Sequence, residues 1–263
     1  MKGAHGKTIR REVFPYFPFQ IQEMLNGLND DHCSELEEIR LRCGRPIVLR
    51  IRDKEICLNR TGKVSTDLGQ GYIVSADDLA RTIAAISDNS IYAFEEDIKR
   101  GFITVPGGHR VGLAGQILIQ GDSVRLMKDF SSLCFRIARE VKGCARIFIE
   151  HIWPQEKPPR NTLLLSPPRC GKTTVLRDIA RILSAGDDKR NGCNVVVVDE
   201  RSELAGCYRG VPQLDVGPRT DVLDGCPKHI GMNMALRAMA PQVIITDELG
   251  SKADVEAVRE CIN

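Results

Sequence analysis

The feature that most constrains this 263-residue chain is a single junction past its midpoint. Residues 162–165 read Thr-Leu-Leu-Leu. A loop follows, made of Ser166, Pro167, Pro168, Arg169, Cys170, Gly171, Lys172, Thr173 and Thr174, and apolar side chains then recur at helical spacing through residue 183. A strand-sized aliphatic run, a loop and a helix start in direct succession are the setting in which a Gly-Lys-Thr cradle for phosphate is built. A helix N-terminus presents unpaired N–H groups and a positive dipole end to an anion. Lys172 is expected to reach the β and γ phosphates of ATP, and the Thr173 hydroxyl to ligate Mg²⁺. The loop departs from the usual G-x-x-x-x-G-K-[ST] at its first position, where Ser166 stands for glycine and gives up some backbone freedom.

Two more aliphatic runs end in acids. One is Val-Ile-Ile-Thr at 243–246, followed by Asp247 and Glu248; the other is four valines at 195–198, followed by Asp199, Glu200 and, further on, Glu203. In a parallel sheet the carboxyl ends of the strands border the ligand crevice. Asp247 is therefore expected to hold Mg²⁺, and Glu248 to act as general base on the attacking water. Glu200 competes for that second role, and the residues alone leave the choice open. Buried strands at 162–165, 194–198 and 243–246 alternate with helices at 172–183, 229–239 and 253–262. Such alternation predicts an α/β fold, a parallel sheet covered on both faces, with the valine strand beside 162–165.

The earlier part of the chain is mixed. Strands are predicted at 38–42 and 47–51 around a turn at 44–46. Ser75 and Asp78 resemble a capping box opening a helix with Leu79, Ile83 and Ile86 on its apolar stripe, and 91–99 continues helical. Residues 101–105 and 111–119 form a hairpin about Pro106-Gly107-Gly108, followed by a strand at 132–138 and a helix at 141–152. Pro154, Pro158 and Pro159 break regular structure, so 154–160 is expected to link an α+β domain (1–153) to the nucleotide domain (161–263).

Charge and composition exclude several classes. Lys and Arg total 37 against 35 acids, a net charge of +2, too little to coat nucleic acid by bulk electrostatics. Arg40, Arg42, Arg45, Arg50 and Arg52 cluster in the sequence, but no aromatics are interleaved with them for base stacking. A P-loop protein acting on nucleic acid is thus the alternative, and no nucleic-acid partner is expected. No Asn-Lys-x-Asp motif points to guanine. The ten cysteines include no Cys-x-x-Cys, and the five histidines have no zinc-ligand spacing, as in a reducing compartment. The first residues lack a secretory apolar core, and the longest aliphatic runs are strand-sized. A soluble, cytoplasmic protein with no membrane span is expected.

Residues 101–115, 196–205 and 239–250, with 38–46 and 135–145, resemble the stage III sporulation protein AA family. That family is similar in turn to the ATPases of type II and type IV secretion and of pilus retraction. The resemblance implies a RecA-like P-loop ATPase domain preceded by a smaller α+β domain, assembled as a homo-oligomeric, hexameric ring. It implies a role in endospore formation, energising a secretion-like channel from the mother-cell side through membrane-embedded channel proteins. Carried over, the phosphate loop is 166–174, Asp247 and Glu248 are the Walker B pair, and Asp199, Glu200 and Glu203 are an acidic box. Arg136, or Arg139 or Arg110, is implied to reach a nucleotide on the neighbouring subunit. A further strand carrying a γ-phosphate sensor is expected after 253–262, which makes the motor domain C-terminally incomplete.

Overall fold

Alternating burial organises the first part of the chain into one antiparallel sheet. The computed structural model describes residues 2–90, 94–121, 123–167 and 170–262, the side chains of 2–5, 96 and 123 aside, and it divides into two units, Met1–Ala138 and Arg139–Asn263. The first unit opens with helices α1 (Lys2–Glu12), α2 (Phe19–Asn26) and α3 (Asp30–Glu35). Strands β1 (Leu36–Arg42), β2 (Val48–Ile51), β3 (Lys54–Leu58) and β4 (Val64–Ser65) follow, then α4 (Ala76–Ile86) and α5 (Glu95–Lys99), then β5 (Phe102–Val105), β6 (His109–Gln120) and β7 (Ser123–Arg136). The sheet order is β4-β3-β2-β1-β7-β6-β5. Ile39 and Leu41 of β1, Leu49, Val111, Leu133 and Phe135 share a core with Phe14, Phe17, Ile21, Leu25 and Leu79 of the helical layer. Each such side chain contributes about 1.5–3 kcal/mol. An exposed pair such as Arg81–Asp77 (2.7 Å) contributes about 0–1 kcal/mol, so the apolar face carries this unit.

The predicted capping box is present. The Ser75 hydroxyl accepts from the Asp78 N–H (3.1 Å), and the Asp78 carboxylate accepts from the Ser75 N–H (2.8 Å) and the Tyr72 hydroxyl (2.9 Å). The helix stops at Ile86, before Asp88 and Asn89 at left-handed φ of 48° and 59°. Of the continuation expected at 91–99, residues 95–99 form α5 and 91–93 lie outside the described residues. The strand predicted at 132–138 ends at Arg136 and begins nine residues earlier, because β7 pairs back along β6 from Gln120↔Ser123 to Arg110↔Arg136.

The second unit holds α6 (Arg146–Ile152), α7 (Lys172–Ala185), a short β8–β9 pair (Gly186–Asp187, Arg190–Asn191), β10 (Val195–Asp199), β11 (Thr220–Asp224), α8 (Lys228–Ala238), β12 (Val243–Thr246) and α9 (Lys252–Ile262). Gly143 at φ 86° breaks the helix predicted from 141, which begins at Arg146. The sheet runs β11-β10-β12 with both pairings parallel. Val195 and Val197 face Ile179, Leu183, Ile152 and Trp153, while Val196 and Val198 face Met232, Ala235 and Ala257. Helices therefore cover both faces, as the continuous valine run predicts.

Three expectations are corrected. Residues 162–165 form no strand; Leu163 and Leu165 are 70% and 83% exposed. Both edges of β10 are already filled by β11 and β12, so the valine strand does not lie beside 162–165. The proline-rich segment 154–160 falls inside the second unit rather than between units, because Ala145, Ile152 and Trp153 pack in the same core as α7. The division comes instead after Ala138.

Candidate nucleotide site

The phosphate loop meets α7 at Gly171, the residue before the helix, whose φ of 83° is left-handed. A Cβ there would meet nothing within 4 Å, so backbone conformation, not space, demands glycine. Lys172 opens the helix, and its ammonium folds back to donate to the Ser166 and Pro167 carbonyls, each at 3.0 Å. An ammonium held only by loop carbonyls exchanges readily for phosphate oxygens. Ser166, Pro167 and Cys170 are exposed, while Thr173 and Thr174 are half-buried. Pro168 and Arg169 lie outside the described residues.

The acids gather at the carboxyl ends of β10 and β12, where Val198 lies beside Thr246 in register. Asp199 points inward. It is fully buried and accepts from the N–H groups of Glu203 (2.8 Å), Leu204 (2.9 Å) and Ala205 (2.9 Å). Burial pushes its carboxyl up, opposed by those amides. Its carboxylate therefore shapes a turn and is not available to the acidic box implied above. The same turn is held from its other side by buried Arg177 of α7. That guanidinium donates to the carbonyls of Leu204 (2.5 Å), Glu203 (2.8 Å) and Arg139 (3.3 Å). One side chain supplies the amide acceptors and the other the carbonyl donors, so the backbone carrying Glu200 and Glu203 is fixed to the phosphate-loop helix.

Asp247 and Glu200 are brought together by a residue that sequence reasoning missed. Lys228, only 7% exposed, ion-pairs with the Glu200 carboxylate and lies 3.3 Å from Asp247 Oδ1. Burial is the strongest influence on its ammonium and pulls it down; the two acids outweigh it and hold it above the ordinary lysine value. On Asp247, burial pushes the carboxyl up against the pull of Lys228, with Glu203 and Glu200 adding to the rise. A signal was present in the sequence. Lys228 is the first residue of α8, directly after Pro227, and a cation at the positive end of a helix is disfavoured. Glu248 is exposed. No hydrogen bond or ion pair joins Lys172 to these acids.

The residues suit a divalent cation. Asp247 Oδ1 is buried, with its ion contact to Lys228 but no hydrogen bond, and so keeps lone pairs for a metal. Among the described residues no cluster of three or more His, Cys, Asp or Glu side chains forms a metal cage. A cation there would draw other ligands from the Thr173 hydroxyl, the nucleotide and water, the pattern of Mg²⁺.

Two of the candidate arginines, Arg110 and Arg136, lie on the sheet of the first unit. Arg136 is exposed at the end of β7, opposite Glu38 on one side and Arg110 on the other. The Arg110 guanidinium lies over the Phe102 ring at 4.6 Å. In the proposed basic patch, Arg40 pairs with Glu38, Arg50 with Glu37 (3.7 Å) and Arg52 with Glu35, which dilutes its charge for nucleic acid. All ten cysteines are free, and burial pushes the Cys207 thiol up to about 12, out of reactive range. No helix among the described residues is long and apolar enough to cross a membrane.

Among solved structures, the ATPase DotB of Legionella pneumophila matches with a TM-score of 0.54 at 18% identity, over 90% of this chain and 61% of that one. The pilus retraction motor PilT with bound ADP matches with a TM-score of 0.50 at 15% identity, over 86% of this chain and 59% of that one. At such identities the likeness is one of fold, and the chain spans about three fifths of those proteins. Fold and site together define an α/β protein with a parallel sheet covered by helices on both faces, built on the fold these two structures share. Residues 8–263 match the family described as sporulation stage III, protein AA, and the stage III sporulation protein AA of Bacillus subtilis (strain 168) is 37% identical over 252 residues, 96% of this chain and 78% of that one. The chain belongs to the stage III sporulation protein AA family.

Proposed function

We propose that the chain hydrolyses ATP with Mg²⁺ at a site completed between subunits of a homo-oligomeric, hexameric ring, and that turnover energises a secretion-like channel during endospore formation. The supporting observation is the pairing of a left-handed Gly171 and loop-held Lys172 at the start of α7 with acids at the carboxyl ends of parallel strands. Lys172 and the loop residues Ser166–Thr174 bind the phosphates, the ammonium and the N–H groups of the non-proline residues offsetting charge that grows on the β and γ oxygens. Mg²⁺, when bound, supplies Lewis-acid neutralisation of those oxygens; Thr173 and Asp247 hold it. Glu200 is occupied by Lys228, so Glu248 is the better general base, exposed and free to take a proton from the attacking water. The cytoplasmic, mother-cell location and the membrane-embedded channel partners are what the family resemblance implies and belong to the same proposal.

The test is solution mass with and without ATP and Mg²⁺. A nucleotide-dependent ring is expected, and a monomer under all conditions overturns the shared-site mechanism. Arg136 is proposed to act across the subunit boundary, since guanidinium stays charged and forks across phosphate oxygens. Arg136→Ala should therefore abolish turnover of the assembled protein while leaving nucleotide affinity of the monomer intact. Unchanged turnover in the assembled variant rules this role out.

A further inference from the structure

Lys228 sits where two forces oppose it. It lies at the positive end of α8 and is almost wholly removed from water, and each condition alone disfavours an ammonium. What holds it is the acid pair, Glu200 on one side and Asp247 at 3.3 Å on the other. These acids stand 28 and 19 positions away in sequence, brought together because β10 and β12 end side by side.

We propose that Lys228 is a built-in placeholder for the divalent cation: it neutralises Asp247 in the metal-free protein and must give up that contact for the metal to bind. The inference rests on the proposed role of Asp247 as the metal ligand. Asp247 Oδ1 makes no hydrogen bond, so Lys228 is the one group the cation has to displace from it among the described residues. Glu200 keeps Lys228 as its counter-ion when Asp247 is released, so the ammonium is not stranded without a partner. Lys228 acts on the metal through Asp247 and is a positioning residue. It sets how much divalent cation the site requires.

The test is Mn²⁺ binding to the full chain at saturating ADP, followed by electron paramagnetic resonance. Lys228→Met should tighten Mn²⁺ binding about tenfold, the change that about 1.4 kcal/mol produces, while ADP affinity in chelator stays within about twofold. Lys228→Arg, which restores the charge, should return Mn²⁺ affinity toward the wild-type value. Unchanged or weaker Mn²⁺ binding by Lys228→Met with ADP affinity retained overturns the placeholder role and leaves the nucleotide site standing. Failure of the wild-type chain to bind ADP at all overturns both.

Discussion

Replacing Lys172 with alanine is expected to lower ATP turnover by about a hundredfold or more, the usual scale for removing one donor aimed at developing charge. The prediction follows from where the ammonium is spent. In the free protein Lys172 donates to two loop carbonyls, Ser166 and Pro167, and supports nothing in either core. Its loss should change folding stability by no more than about 0.5 kcal/mol. A variant that unfolds normally yet hydrolyses ATP at the wild-type rate would place the chemistry outside the 166–174 loop. Lys172→Arg separates charge from shape: guanidinium keeps the charge, but its planar fork does not reproduce a compact ammonium, so most of the activity should still be lost.

Arg177→Ala is expected to be the most damaging single change to the second unit, at about 3 kcal/mol or more. Three backbone carbonyls in or near the interior lose their donor at once, and each hydrogen bond from a charged group counts for about 1.5–3 kcal/mol. Trp153 is the chain's one tryptophan and is buried in the same core as α7, so its fluorescence during urea unfolding of the full chain reports this unit. The midpoint should fall sharply in Arg177→Ala, and Arg177→Lys should recover only part of it, since one ammonium cannot reach three carbonyls in different directions. A midpoint equal to wild type would mean that the acidic turn holds its shape through Asp199 alone.

Much of the second unit was legible in the sequence because its signals are strong and local. Four consecutive valines require a strand buried on both faces, and β10 is one. The periodic stripes of α7, α8 and α9 fixed those helices to within a residue or two at each start. By contrast β11, Thr-Asp-Val-Leu-Asp, has two exposed acids among its five residues and buries none of them fully, and its place comes only from pairing with β10, a contact that leaves no trace in its own five residues. The reverse error occurred at 162–165, where three leucines look like core yet find no open strand edge at β10. At the site, the loop and the Asp247–Glu248 pair were readable as motifs. Arg177 was not, and Lys228 showed only as a cation after a proline at a helix start, because the roles of both depend on partners the fold brings close. Asp199 belongs with them: the family resemblance puts it in an acidic box, and only the three amides around it reveal a turn.

The order β4-β3-β2-β1-β7-β6-β5 also has a consequence during synthesis. Strands β1 to β4 pair with near neighbours in sequence, and so do β5 to β7. The two halves meet only where β1 lies against β7, with Ile39 opposite Phe135, residues separated by about a hundred positions. A chain emerging from the ribosome thus builds two meanders, and the inner edge of the first stays open until the last strand of the second has been made. That open edge carries Ile39 and Leu41, which the mature unit buries completely. An unpaired strand edge is a template for association with other chains. A translation pause before residue 123 is therefore the point at which this protein is most exposed to aggregation, and early engagement of β7 with β1 ends that exposure.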